Sequence, residues 1–204
     1  MTPRENSVKQ LSEIYNVVTG AALAFAITNV IDTNADFIPI KSAPALCFLV
    51  FFVTLIPFHQ GAVRHLFATY VEDGGSSRIA RGALALDFVI LFVEACLFVA
   101  LALLLSKTSL FTLTLIVLLA VDCFWGFLAS MAFTGAQAQS AEKQWSLINL
   151  VAVVVLIVLY IFAPPLLSGR DSDEFKICIL LVCIVRTIID YYVSWDFYYP
   201  APKT

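Results

Sequence analysis

Six stretches of this chain, roughly 11–31, 43–62, 82–105, 109–133, 145–165 and 175–196, are long and apolar enough to cross a lipid bilayer. A crossing needs about 20 mostly apolar residues for roughly 30 Å of hydrocarbon. Six of them in 204 residues leave only short connections, so no separate soluble domain fits. Backbone groups must be paired within the segment or barrel that spans lipid. The apolar runs are continuous rather than alternating, which selects helices over a barrel. The expected fold is an all-α integral membrane protein, one domain over 1–204, built as a bundle of about six transmembrane helices. Composition agrees: 61% of residues are hydrophobic and 13% are charged, about half the charge of a soluble domain.

Local signals mark the ends of these helices. Ser7-x-x-Gln10 and Asp171-x-x-Glu174 have capping-box spacing ahead of the first and sixth stretches. Pro164-Pro165 stops the fifth, and Asp73-Gly74-Gly75 stops whatever continues from the second. The first stretch is long for a signal peptide and has no small-residue cleavage pattern behind it. Arg4, Lys9, Arg64, Arg78, Arg81, Lys143 and Lys203 fall on one side, and Lys41, Lys107, Arg170 and Lys176 on the other. The positive-inside rule then puts both termini in the cytoplasm. The expected location is multi-pass in a cell membrane, either a plasma membrane or a bacterial inner membrane.

Charges inside the spans are the second constraint. Asp87 and Glu94 share a face of the third stretch, Asp122 lies in the fourth, and Arg186 and Asp190 lie one turn apart in the sixth. A charge at the bilayer centre costs about 2.5–3.5 kcal/mol on insertion scales. By depth, Glu94, Asp122 and Arg186 form one layer and Asp87 and Asp190 another. Two readings fit. One is a buried ion-pair network that fixes helix register, with Asp190 as the local partner of Arg186. The other is an ion, proton or substrate path, because four acids against one arginine leave a carboxyl without a cation; Glu94 or Asp122 is the candidate.

Pro57 cannot donate to the Val53 carbonyl, so the second helix is expected to kink there. Beyond it, His59, Gln60, Arg64 and His65 are expected at the cytoplasmic membrane edge. They either form a solvated helix end contacting lipid phosphates or the mouth of a vestibule in which His59 and Arg64 approach Asp87 and Asp190. Tyr191, Tyr192 and Trp195 head an aromatic cluster that an interfacial belt or a docking surface would explain. Gly126-x-x-x-Ser130 permits close helix approach, within the chain or in a homo-oligomer.

Several functions are excluded. No lysine sits in the core of a span, so a retinal Schiff base has no anchor. His59 and His65 are the only histidines and point about 120° apart on one helix, which excludes bis-histidine haem. The five cysteines lie in apolar stretches without a CxxC, and no HExxH occurs, so no metal site is expected. No Ser–His arrangement, arginine ladder, P-loop or GxGxxG is present. A net charge of −3 without a basic cluster gives nucleic acid no footing. An aspartyl hydrolase using Asp122 and Asp190 is allowed by residue type but has no supporting motif, and neither enzyme activity nor a cofactor is expected.

The leading expectation is a small transporter or channel for protons, ions or a small solute, oligomeric in the bilayer. The alternative is a membrane-embedded interaction subunit, sensor or effector, a membrane-permeabilising defence or toxin component included, with its protein partner on the cytoplasmic face.

Overall fold

The computed structural model of the chain describes residues 2–31, 40–72, 81–132 and 136–200, with the side chains of 81, 82, 132 and 136–140 outside that description. The Asp73-Gly74-Gly75 stop and the charges Arg78, Arg81 and Lys203 lie outside the described residues or side chains. Seven helices follow one another: α1 Pro3–Val30, α2 Ser42–Phe67, α3 Arg81–Leu103, α4 Thr108–Ala132, α5 Ala136–Phe162, α6 Asp173–Val193 and the single turn α7 Trp195–Tyr198. A π-helical turn, Ala68–Glu72, prolongs α2. Among the described residues there is no strand, only an isolated bridge between Ile31 and Ile40 that closes the α1–α2 connection.

Five helices, α1 to α5, are long and apolar enough to cross a membrane. The sixth has 21 residues, but any 18-residue window of it holds at least Lys176, Arg186 and Asp190, and this sets it apart from the five.

The helix ends differ from the sequence expectation for local reasons. α1 starts at Pro3 rather than near 11. Thr2 accepts from the Glu5 amide at 3.2 Å, and the Glu5 carboxylate accepts from the Thr2 amide at 2.7 Å. That is a complete capping box with proline at the first helical position. Ser7 instead donates back to the Pro3 carbonyl, as an interior serine does. At α6 the cap is Ser172, not Asp171; its hydroxyl accepts from the Phe175 amide at 3.2 Å. The largest difference is in α5, which begins at Ala136 instead of 145. Its first turns, Ala-Gln-Ala-Gln-Ser-Ala-Glu-Lys-Gln, are polar but rich in strong helix formers.

The helices close into a ring in the order α1, α3, α4, α5, α6, α2 and back to α1, with α2 also touching α3. Of the five apolar helices α2 is the most buried. Burial is inverted relative to a soluble domain. Phe124, Phe127, Leu147, Phe162 and Ile188 are more than half exposed, while Asp87, Glu94, Glu142, Asn149 and Asp190 are buried. An apolar exterior around ionisable residues is the arrangement a bilayer imposes. The interior divides in the same way. An apolar cluster around Cys47, Phe51, Phe98, Phe111 and Phe175 fills one end of the ring. The other end contains the polar groups.

Gly126 sets the α4–α5 approach. A Cβ there would lie 2.5 Å from the Ser146 hydroxyl and 3.0 Å from the Glu142 carbonyl. The small-residue spacing is therefore used within the chain, where the Ser146 hydroxyl donates to the Cys123 carbonyl at 3.1 Å.

Candidate functional site

Two hydrogen-bonded groups occupy the polar end of the ring. In the first, His65 of α2 stands between two carboxyls: its Nε2 is 3.0 Å from Asp87 of α3, and its Nδ1 is 2.9 Å from Glu142 of α5. The same Asp87 oxygen accepts from the Tyr70 hydroxyl at 2.5 Å. Asp87, Glu142 and His65 are each less than 5% exposed. The π-helical turn explains how Tyr70 reaches inward. An extra residue in the turn rotates the following side chains relative to an α-helix, and Tyr70 ends fully buried against Leu66 and the α3 face.

The second group runs across four helices. Glu94 of α3 and Asp122 of α4 are in side-chain hydrogen-bonding contact. Asp122 also accepts from the Asn149 amide of α5, and the Asn149 oxygen accepts from Arg186 Nε of α6 at 2.8 Å. The Arg186 guanidinium lies over the Phe58 ring, 4.9 Å from its centroid, a cation–π contact that helps hold a charge away from water. Asn149 thus connects an acid and a base that do not touch each other.

Both groups face one cavity of about 40 Å³, bordered by His65, Glu94, Asp122, Glu142, Arg186 and Asp190 among others. A water needs roughly 10–15 Å³ of such space, so the cavity has room for two or three. Glu94 Oε1 and Arg186 Nη1 are buried without a hydrogen-bond partner, one acceptor and one donor. Four acids against one arginine and one histidine border this space, so it favours a proton or a small cation over an anion. A paired Glu–Asp set of this kind can activate water in acid hydrolases, but the cavity is too small for a scissile bond beside it. Asp122 and Asp190 are not the pair in contact. Among the described residues no group of three or more His, Cys, Asp or Glu side chains is arranged to hold a metal ion.

Asp190 accepts from the Tyr198 hydroxyl at 3.2 and 3.1 Å and makes no ion pair with Arg186; the expected one-turn Arg186–Asp190 pair is replaced by Asn149 and Tyr198. Tyr198 lies outside the spans on α7. Burial and the adjacent Asp190 carboxylate raise its hydroxyl above the ordinary tyrosine value, so it remains a donor.

The expected cytoplasmic-mouth residues separate. His65 is interior, as described. His59 hydrogen-bonds Asn16 of α1 at 2.8 Å, and Gln60 accepts from the Tyr191 hydroxyl at 2.7 Å. Arg64 pairs with Glu72 and donates from Nε to the Phe197 carbonyl at 2.8 Å. Neither His59 nor Arg64 reaches Asp87 or Asp190. The Val53 carbonyl, freed by Pro57, accepts from the Thr187 hydroxyl at 3.2 Å. Tyr192 and Trp195 are exposed, while Tyr191 is half-buried.

Sequence reasoning missed Glu142 and Asn149. Their seven-residue spacing puts them on one helix face, as with Asp87 and Glu94, and that was the available signal. It was hidden by starting α5 at the first apolar residue.

Comparison with protein-family models, curated proteins and solved structures finds no match to this chain.

Proposed function

We propose that this protein is a small membrane transporter or channel that moves protons or a small cation through the polar cavity. One observation carries the reading: the Glu94–Asp122–Asn149–Arg186 chain runs across four helices, buried except at a half-buried Asp122, and borders a cavity with an unpartnered acceptor and an unpartnered donor. An ion-pair network that served register alone would pair its charges, because an unsatisfied buried polar group is costly. Here the arginine meets an amide and a ring, and two acids meet each other.

The reading takes α6 as a sixth crossing, its Arg186 and Asp190 facing the bundle rather than lipid. Six crossings return both termini to one side, which the positive-inside bias makes the cytoplasm. Reporter fusions at each end test this, and opposite locations for the two ends exclude it. The second reading, a subunit that docks a partner, draws on exposed Tyr192, Trp195 and Tyr199 around α7.

The deciding experiment is reconstitution into liposomes carrying a pH-sensitive dye. Proton movement should follow an imposed pH gradient or membrane potential and should be lost in Glu94→Gln and Asp122→Asn. Absence of flux above protein-free liposomes under both gradients would sink the transport reading and leave the docking one.

A further inference from the structure

A second space, a groove of about 800 Å³, runs along the flank of the bundle between α1 and α2. It is apolar at Leu23, Phe52 and Ile56 and polar at Asn16, His59 and Arg64. Tyr198 borders both this groove and the 40 Å³ cavity, and among the described residues no other lining residue is shared between them. Tyr198, 6% exposed, therefore stands where the outer groove comes nearest the buried acids, beside α2, whose two faces line the two spaces.

We infer that Tyr198 is the gate between the α1–α2 groove and the polar cavity, that Arg64 is the latch holding it shut, and that the groove is the route by which a proton or small cation enters. The inference rests on the transport reading.

Every contact of α7 fits a closed gate. The Tyr198 hydroxyl spans to Asp190 and lies against Gly61 of α2, where a Cβ would be 3.5 Å away, in ordinary contact. Trp145 stacks on the Tyr198 ring at 6.0 Å and meets Phe197 edge-on at 5.1 Å. Arg64 then fixes the backbone of the turn: Nε donates to the Phe197 carbonyl, and the guanidinium lies 5.4 Å from the Phe197 ring centroid. Glu72, at the end of the π-helical turn, clasps the same guanidinium. α7 is one turn long and follows the break at Ser194, so few backbone bonds hold it to α6. Its position depends on the Arg64 and Tyr198 side chains.

The test reads access and does not depend on transport. In the full chain, all cysteines except Cys47 are changed to alanine, and Ala62, which borders the cavity, is changed to cysteine. A membrane-impermeant thiol reagent is applied from the side of α7. Loss of a hydrogen bond to a carboxylate shifts an open–closed equilibrium by about tenfold or more. Labelling of Ala62→Cys should therefore quicken by about tenfold in Tyr198→Phe, which loses the bond to Asp190, by more in Tyr198→Ala, which also removes the ring, and measurably in Arg64→Ala, which frees the Phe197 carbonyl. Cys47, buried in the apolar cluster at the other end, should stay unlabelled in all of them. An unchanged rate at Ala62→Cys overturns the gate. An equal rise at Cys47 does so too, because it shows general loosening of the bundle. Absence of proton flux with gated labelling would instead count against the transport reading alone.

Discussion

Thr187 of α6 donates its hydroxyl to the Val53 carbonyl of α2 across 3.2 Å, supplying from a neighbouring helix the hydrogen bond that Pro57 cannot make within its own. A proline inside a membrane helix is tolerated when a nearby side chain takes over the freed carbonyl. The bond also fixes how α6 sits against α2, and hence where Arg186 meets the cavity.

Thr187→Val removes the donor and keeps the shape. It should cost about 0.6–1.7 kcal/mol, the range measured for single bonds between membrane helices, read by detergent-titrated unfolding. Pro57→Ala restores an amide to the Val53 carbonyl, so in that background Thr187→Val should cost nothing measurable. Equal cost in both backgrounds would show that the hydroxyl does not stand in for the missing amide.

Gly126→Ala should destabilise by about 1–3 kcal/mol through overpacking. Its Cβ would meet the Ser146 hydroxyl at 2.5 Å and the Glu142 carbonyl at 3.0 Å. Adding Ser146→Ala should relieve only part of this, because the carbonyl belongs to the α5 backbone and cannot turn away. Full recovery in the double variant would mean that side-chain crowding alone sets the approach of the two helices.

Sequence patterning revealed the five helices that are long and apolar enough to cross a membrane, because apolar length alone reports that requirement. Fixed rise per residue put Glu94, Asp122 and Arg186 at one expected depth, and the three border one cavity. Partners were harder to read. The freed Val53 carbonyl follows from Pro57, but Thr187 as its donor depends on α2–α6 packing. Asn149 carries no charge to attract notice within an apolar run, yet it links Asp122 to Arg186. Glu142 was hidden because helix propensity, not apolarity, starts α5. His65 was expected at the membrane edge because its two carboxyl partners, Asp87 of α3 and Glu142 of α5, come from helices whose packing the sequence does not give.

Asn149→Leu should cost about 1–3 kcal/mol, since it leaves a half-buried acid and a buried arginine without their amide partner. Replacing Asp122, Asn149 and Arg186 jointly with leucine, leucine and methionine should recover most of that stability, because a packed apolar set can substitute for a buried polar one. The same triple variant should abolish proton flux in liposomes. Stability that stays low in the triple variant would show that the chain is needed for folding itself. Flux that persists would remove it from the path.

His65→Leu leaves Asp87 and Glu142 buried with no base between them, where each now lies within 3.0 Å of an imidazole nitrogen. The loss should again be about 3–5 kcal/mol, the cost of removing one member of a buried pair. Adding Asp87→Asn and Glu142→Gln removes the stranded charges and should restore most of it. Tyr70 remains able to donate to an amide oxygen at position 87, so the π-helical turn should keep its place, visible as unchanged protection of its amides from hydrogen exchange. If the neutral double replacement brings no recovery, the imidazole stabilises the bundle by filling space between α2, α3 and α5 rather than by its charge.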